Sequence, residues 1–448
     1  MNKPGTTPLM RAKKLEKYLG VKEIYLKLEG TNPYGQKLDR VSEVIVKDAL
    51  DHGKNGLLVD GSSAYINSAI QFCEYSGLDV KIPLFKNERW KERVFDSKHF
   101  IDFRANKAIN KYELIDKYCK DNNFYNAYQH ATRHLSMISL QKIGEEIAEK
   151  LGDDISTVFA QLSYGYTVSS LYNGFVNKWV EGAINRYPQI YSCTIPKGNA
   201  IFNDYKRNME IGALEDYNVK VNRYTRNLFT GEGALLEDTL KAIRDTNGKI
   251  ISVDENLLKE SAQLLKKQES VILSTEEGYS FAGFYKLAKE GKLKNGKHVI
   301  VLNDGKSDLV LVRVTGYQTY SKEMIAKWIK EWLQNYSDSM VETEEAVEAA
   351  IKHGFLVLAF RNNVPQGVCA VVNLGFKDFI PTYHLGYIGT KEGNKGRGIA
   401  SELIRHVLEL TGGKLSLHVD LDNKRARSLY EKMGFKTSYY RMIYSEEQ

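Results

Sequence analysis

Short apolar segments and longer amphipathic segments alternate along the first two thirds of the chain. Residues 11–19 have helical spacing, and the apolar run that follows them ends at Glu29. Further on, the short run 155–159 predicts a strand and residues 256–267 predict a helix. Alternation of this kind predicts a mostly parallel sheet covered by helices, which is an α/β fold.

The pattern starts afresh after residue 308. It predicts a strand, two helices and a hairpin, in that order: 309–314, 322–336, 343–353, and 355–360 with 367–372. Thr343 is expected to be the N-cap of the second helix, because acidic residues follow it. The sequence therefore predicts two domains, residues 1–308 and 309–448.

A loop that contains glycine connects the next predicted strand, 383–390, to the helical run 401–408. The loop reads Lys395-Gly396-Arg397-Gly398-Ile399-Ala400. Glycine lets the backbone approach an anion closely, and the first N–H groups of the helix point at that anion with the positive end of the helix dipole behind them. This order of strand, loop and helix predicts a site for a pyrophosphate.

A second motif occupies residues 423–435. Asn423, Ala426 and Tyr430 have the spacing i, i+3 and i+7, which is one face of a helix, and the small Ala426 permits close approach of a ligand. Gly434 is expected to end that helix.

Together the two motifs resemble those of the GNAT (Gcn5-related) N-acetyltransferases, whose coenzyme A loop reads Q/R-x-x-G-x-G/A and whose following segment reads N-x-x-A-x-x-L-Y-x-x-x-G-F. Lys395 stands where that family has Gln or Arg. The resemblance implies an α+β acetyltransferase domain with acetyl-CoA as its cosubstrate. The residues that it implies for coenzyme A binding are Ile388, Thr390, Lys395, Gly396, Arg397, Gly398, Ile399, Ala400, Ser401 and Asn423.

Two further residues are candidates for catalysis. In the GNAT family the tyrosine of the second motif protonates the leaving thiolate, and the resemblance gives this role to Tyr430. For the base we select His384, because several family members place a glutamate at the matching point of this strand and an imidazole accepts a proton near neutral pH. His418 on the next strand is the rival. The alternative for His384 is a histidine that faces solvent or is hydrogen-bonded in the core.

Residues 5–308 resemble the fold-type II pyridoxal-phosphate enzymes of the threonine synthase and cysteine synthase group. The T-P-L, K-x-E and N-P-T-G-S-F-K-D-R motifs of that family correspond to residues 7–9, 27–29 and 32–40. The position of the family's Schiff-base lysine is Leu38 here. Lys37 is one residue earlier, and a helix that starts at this point would turn its amine away by about 100°.

Other segments that contact the cofactor in that family also differ. Residues 62–67 and 163–167 replace the family's S-S-G-N-T-G loop and its glycine-rich phosphate cup, and they introduce Tyr65, Tyr164 and Tyr166. We expect these rings to occupy the places of the cofactor ring and phosphate. Pyridoxal phosphate is therefore not expected to bind, and the first domain is expected to be catalytically degenerate.

Composition narrows the choice of partners. The net charge of +7 arises from 63 basic and 56 acidic residues, an excess that anionic ligands can explain, so nucleic acid is not required. The four cysteines are far apart, which predicts neither a metal site nor a disulfide framework. The chain has no apolar run of membrane-spanning length and no secretory pattern at its start, so we expect a cytoplasmic protein. For the oligomeric state a homodimer is an open alternative, because the synthases that the first region resembles are often dimers.

The sequence thus predicts an acetyl-CoA-dependent N-acetyltransferase that acts on a small-molecule amine or amino acid. The degenerate first domain would bind or present that acceptor. Two alternatives remain. One is a bifunctional enzyme whose pyridoxal-phosphate lysine has moved, and the other is a non-enzymatic sensor of acyl-CoA or amino acids.

Overall fold

The computed structural model of the protein describes residues 3–86, 88–105, 110–128, 130–208, 219–231, 234–361, 363–377, 381–393 and 398–438. The chain forms two compact units that divide between Ser307 and Asp308. Among the helices of these residues, none has the length and apolar character needed to cross a membrane.

The first unit contains twelve strands among the described residues: β1 (Leu9–Arg11), β2 (Ile24–Leu28), β3 (Gly56–Asp60), β4 (Asp79–Leu84), β5 (Phe100–Asp102), β6 (Phe124–Tyr128), β7 (Ile155–Gln161), β8 (Gln189–Thr194), β9 (Lys249–Ser252), β10 (Val271–Ile272), β11 (Lys297–Leu302) and β12 (Lys306–Ser307). The larger sheet has the order β1-β2-β11-β7-β8-β9 and is parallel except for β1. The smaller sheet has the order β5-β4-β3-β6 and is parallel throughout.

Ten helices accompany these sheets in the described part of the unit: α1 (Lys13–Leu19), α2 (Asp39–Asp51), α3 (Ser63–Ser76), α4 (Lys111–Asp121), α5 (Arg133–Leu151), α6 (Tyr166–Val180), α7 (Ala200–Asn208), α8 (Leu236–Asp245), α9 (Glu255–Glu269) and α10 (Tyr279–Lys289). Ser62 and Asp254 are side-chain N-caps of α3 and α9, which fixes where these two helices begin. Strands β7 and β11 are neighbours in the sheet and run parallel. Their carboxyl ends therefore meet at one edge, the usual ligand-binding edge of an α/β sheet.

The second unit continues with β13 (Val310–Val314), α11 (Lys322–Leu333), α12 (Met340–His353), β14 (Gly354–Arg361), β15 (Val364–Asn373), β16 (Tyr383–Thr390), α13 (Ile399–Thr411), β17 (Leu415–Leu417) and α14 (Lys424–Lys432). One sheet has the order β13-β14-β15-β16-β17, and only the pair β16 and β17 is parallel in it. Helices α11 and α12 pack on one face and α13 on the other. The predicted strand, two helices and hairpin are confirmed.

The predicted N-cap of α12 is wrong. The cap is Ser339, whose hydroxyl accepts from Glu342 N at 3.3 Å, while the Glu342 carboxylate accepts from Ser339 N at 2.9 Å. Thr343 lies one turn inside the helix, is fully buried, and donates its hydroxyl to Ser339 O at 2.8 Å. The reciprocal Ser-x-x-Glu bonds satisfy two backbone N–H groups and so set the start of the helix.

The motif residues of the first unit form a buried network of ion pairs. The Arg40 guanidinium donates to both carboxylate oxygens of Glu29, at 2.7 and 2.9 Å, and to both of Glu146, at 2.7 and 2.9 Å. Lys27 donates to Glu146 at 2.5 Å and to Thr7 O at 2.7 Å. Burial alone would raise the pKa of Glu146, but the hydrogen bonds and charges of Arg40 and Lys27 lower it to about 2. Two cations thus balance two carboxylates, and these motif positions hold the fold together.

Replacing Arg40 with methionine should strongly destabilise the first unit. It would leave Glu29, which is fully buried, without its cation, and removal of one partner of a buried pair typically costs about 3–5 kcal/mol of unfolding free energy. Denaturant unfolding followed by circular dichroism measures this loss. Arg11→Met is the matched control, because Arg11 pairs with Glu16 at the surface, where such pairs contribute about 0–1 kcal/mol. Equal losses in the two variants would contradict the structural role.

Candidate functional sites

Strand β16 separates from β17 partway along its length. The two strands pair over Tyr383–Leu385 and Leu415–Leu417, whereas β16 runs on to Thr390 beside β15. Residues 386–390 of β16 therefore have no strand partner on the β17 side within the described residues. An extended ligand arm can bond to a strand edge of this kind.

A β-bulge at Gly386 marks the point of separation. Tyr387 lies opposite Ala370 and Leu385 opposite Val371, so Gly386 has no partner on β15. The extra residue changes the face on which side chains lie, because Leu385 packs on the α13 side and Tyr387 on the side of α11 and α12.

Helix α13 begins at the far end of this open edge. Gly398 is its N-cap with φ of 79°, a left-handed conformation that favours glycine, and the helix runs from Ile399. The N–H groups of Ile399, Ala400 and Ser401 belong to the first turn, where a helix has no internal acceptor for them. Lys395, Gly396 and Arg397 were also predicted for this site and lie outside the described residues.

The start of α13 packs directly against the sheet beside that edge. Gly367 on β15 lies opposite Thr390, and a Cβ at Gly367 would come within 2.8 Å of Ile399 Cγ2. Ile388 packs on the same face of the sheet as α13. The structure therefore brings Ile388, Thr390 and the first turn of α13 together, as the predicted coenzyme A site requires.

Tyr430 lies on α14 with a buried ring that packs edge-on against Phe435 at 5.9 Å. Burial raises the pKa of Tyr430 to about 12, with a smaller contribution from the thiol of Cys369, which is the cross-strand neighbour of Ile388. Its hydroxyl makes no hydrogen bond to any residue that the structure describes. Tyr430 is thus a protonated phenol that keeps its donor available.

Asn423 is the N-cap of α14 and does not lie on the helix itself. Its Oδ1 accepts from Ala426 N at 3.0 Å, so this oxygen is committed to the helix end. A role of Asn423 in coenzyme A binding stays a prediction.

The predicted base and its rival lie side by side, directly before the part of β16 that is not paired with β17. His384 Nδ1 is 3.0 Å from Ser416 Oγ, and the ring centroids of His384 and His418 are 4.4 Å apart. His384 is half-buried and His418 is exposed. Both imidazoles therefore meet where β16 and β17 still pair, directly before the bulge.

The first unit has a second candidate site, a buried polar cluster at the carboxyl ends of β7 and β11. Lys37, which is 7% exposed, donates from Nζ to Thr167 Oγ1 at 2.6 Å and to Asn303 Oδ1 at 2.8 Å. Thr167 belongs to the first turn of α6, and Asn303 directly follows β11. Helix α2 begins only at Asp39. The prediction that a helix would turn the Lys37 amine away from the site is therefore wrong.

A carboxylic acid extends this polar cluster. Asn303 Nδ2 donates to Glu277 Oε2 at 2.6 Å, and Gln161 Nε2 donates to the same oxygen at 3.1 Å. Burial raises the pKa of Glu277 to about 7, against the hydrogen bond from Asn303. Burial lowers the pKa of Lys37 to about 8, against the charges of Glu277 and Glu29. Sequence reasoning missed Glu277 and Asn303 as partners of Lys37, because more than two hundred residues separate them from it.

The three tyrosines predicted to occupy the places of the cofactor ring and phosphate have different positions. Tyr65 lies in the core of the smaller sheet instead, where its hydroxyl donates to Ala127 O at 3.0 Å. Tyr166 Oη is 3.1 Å from His130 Nδ1, and the Tyr164 ring packs against His130 at 5.3 Å. Tyr65 therefore does not occupy the place of the cofactor, contrary to the prediction from the sequence.

The groups in this polar cluster fit pyridoxal phosphate in kind. Lys37 supplies a primary amine, Thr167 a hydroxyl at the start of a helix, and Asn303 a side-chain amide at the end of β11. When bound, this cofactor supplies an aldehyde and a ring that stabilises negative charge on a neighbouring carbon. Leu38 offers no amine, and it packs against the hydrophobic core of the unit.

Two family models match the chain in separate regions. The pyridoxal-phosphate dependent enzyme family matches residues 2–305, and the acetyltransferase (GNAT) family matches residues 320–435. The first match points toward pyridoxal phosphate, whereas the sequence predicted that this cofactor does not bind. The second implies acetyl-CoA.

Similar proteins cover the first region. Threonine synthase of Methanocaldococcus jannaschii is 23% identical over 309 residues, which are 67% of this chain and 74% of that protein. Threonine synthase of Halalkalibacterium halodurans is 24% identical over 313 residues, 67% of this chain and 82% of that protein. Among solved structures, O-acetyl serine sulfhydrylase isoform 3 of Entamoeba histolytica superposes with a TM-score of 0.50 and 15% identity, over 67% of this chain and 86% of that one. This level of likeness shows the fold.

Both resemblances seen in the sequence are thus confirmed, and so is the fold class of a fold-type II α/β region followed by a GNAT region. The chain belongs to the pyridoxal-phosphate dependent enzyme family and carries a GNAT acetyltransferase domain behind that region.

Proposed function

We propose that the second unit transfers the acetyl group of acetyl-CoA to the nitrogen of a small-molecule amine or amino acid. The observation that carries this proposal is the open edge of β16 beside the first turn of α13, with the phenol of Tyr430 near Cys369, the cross-strand neighbour of Ile388. An anionic pyrophosphate suits the helix start, and an extended pantetheine arm suits the strand edge.

The reaction needs one base and one acid. His384 removes one proton from the ammonium, and the neutral amine nitrogen then attacks the thioester carbonyl carbon. The nitrogen loses its second proton to solvent, and the carbon–sulfur bond breaks as the tetrahedral intermediate collapses to the amide. Tyr430 gives its proton to the leaving thiolate. A backbone N–H at the end of β16 would stabilise the developing oxyanion.

A turnover assay tests the proposal. Purified protein is mixed with acetyl-CoA and a panel of amino acids, polyamines and aminoacyl conjugates, and release of free thiol is followed. We expect thiol release that depends on one class of amine, with the acetylated product found by mass spectrometry. Binding of acetyl-CoA without turnover over the panel would favour the sensor alternative.

A further inference from the structure

Among the described residues of the first unit three lysines are buried, and one of them differs from the others. Lys27 pairs with Glu146 at 2.5 Å, and Lys91 pairs with Asp60 at 2.7 Å. Lys37 is buried to a similar degree, yet among the described residues its Nζ makes no ion pair and bonds only to the neutral oxygens of Thr167 and Asn303. Its amine is therefore held in place without a compensating carboxylate in contact.

The surroundings of this amine disfavour a permanent positive charge. Thr167 is the second residue of α6, so the amine lies by the positive end of a helix dipole. Burial also lowers the pKa of Lys37 to about 8, although the charges of Glu277 and Glu29 act in the opposite direction. A minor fraction of the amine is therefore neutral near physiological pH, and a neutral desolvated amine is a nucleophile.

The backbone fixes the direction of the side chain. Lys37 N donates to Asn303 O at 2.7 Å, which ties this residue to the end of β11, and Leu38 follows as the N-cap position of α2. Lys37 thus points at the edge where the carboxyl ends of β7 and β11 meet, and Leu38 packs into the core.

We propose that Lys37 is a nucleophilic lysine of the first unit, which condenses with an anionic aldehyde of the pyridoxal-phosphate class. The lone pair of the neutral Nζ amine adds to the aldehyde carbon, a C=N bond replaces the C=O bond, and the oxygen leaves as water with the two protons of that amine. No oxidant or reductant takes part. The anionic group of the aldehyde would lie at the first turn of α6, beside the Thr167 hydroxyl. If Lys37 supplies the amine, Leu38 at the position of the family's lysine no longer indicates that the first domain is degenerate.

Covalent trapping tests this assignment on the full chain. Protein is mixed with pyridoxal phosphate, its visible absorbance is recorded, the C=N bond is reduced with borohydride, and the modified lysine is located by peptide mass spectrometry. We expect an imine absorbance band and a label on Lys37, with Lys27 and Lys91 unlabelled as internal controls. Labelling should increase as pH rises through about 8, whereas surface lysines respond near ~10.4.

Two variants sharpen the test. Lys37→Arg keeps the positive charge and the length but forms no reducible imine, so both the band and the label should be lost, with circular dichroism as the check on folding. Thr167→Val should reduce labelling by pyridoxal phosphate more than labelling by pyridoxal, which lacks the phosphate. A label confined to surface lysines, or a wild-type band that persists in Lys37→Arg, would overturn the proposal. If Lys37→Arg does not fold, the position of the label in the wild-type protein decides the matter.

Discussion

Tyr430→Phe should lower acetyl-transfer turnover by on the order of 10²-fold or more, with little change in coenzyme A affinity. The substitution keeps the ring, which packs against Phe435, and removes only the proton donor. Because the pKa of Tyr430 is raised to about 12, the wild-type phenol stays protonated at neutral pH. Without it, the thiolate must leave as an anion or take its proton from water.

Steady-state kinetics and calorimetry together check this prediction. Tyr320→Phe is the matched control, since Tyr320 is a second phenol of this unit whose ring packs against Trp328 at 5.2 Å, away from α14. We expect its turnover to match wild type. Unchanged turnover in Tyr430→Phe would assign thiolate protonation to another group, whereas a matching loss of coenzyme A affinity would mean that Tyr430 binds the cosubstrate instead.

Local patterns predicted the elements that position the acetyltransferase site. Strand β16 has the predicted bounds, Tyr383–Thr390, because its apolar run ends in a glycine-containing loop. Helix α13 begins two residues before the predicted start, because the positive φ of Gly398 lets Ile399 enter the helix at once. Such signals come from neighbouring residues, so the sequence alone carries them.

Contacts between distant residues escaped the same reasoning. The direction of Lys37 depends on Asn303, and the position of the Tyr65 ring depends on Ala127. The bulge at Gly386 depends on how β15 pairs with β16. The spacing of residues along one element predicts none of these contacts, and each of them decides which groups lie at a candidate site.

Gly398→Asp should lower the affinity for coenzyme A steeply, by on the order of 10²-fold, because two negative charges in a partly buried site repel strongly. The fold should tolerate the change at a modest cost in stability, because the left-handed backbone at this position strains a side chain. Aspartate is a favourable N-cap, it enters the left-handed region more readily than most residues, and a Cβ at Gly398 meets no described atom within 4 Å. The carboxylate would then accept from the same first-turn N–H groups that the pyrophosphate needs.

Gly398→Asn separates charge from shape. Asparagine also caps helices and also tolerates a positive φ, but it adds no charge, so calorimetry should find its loss of coenzyme A affinity much smaller than that of Gly398→Asp. Added salt should narrow the difference between the two variants, since it screens repulsion between charges. If both variants bind coenzyme A as tightly as the wild type, the start of α13 is not the pyrophosphate site, and the assignment of Ile399, Ala400 and Ser401 fails with it.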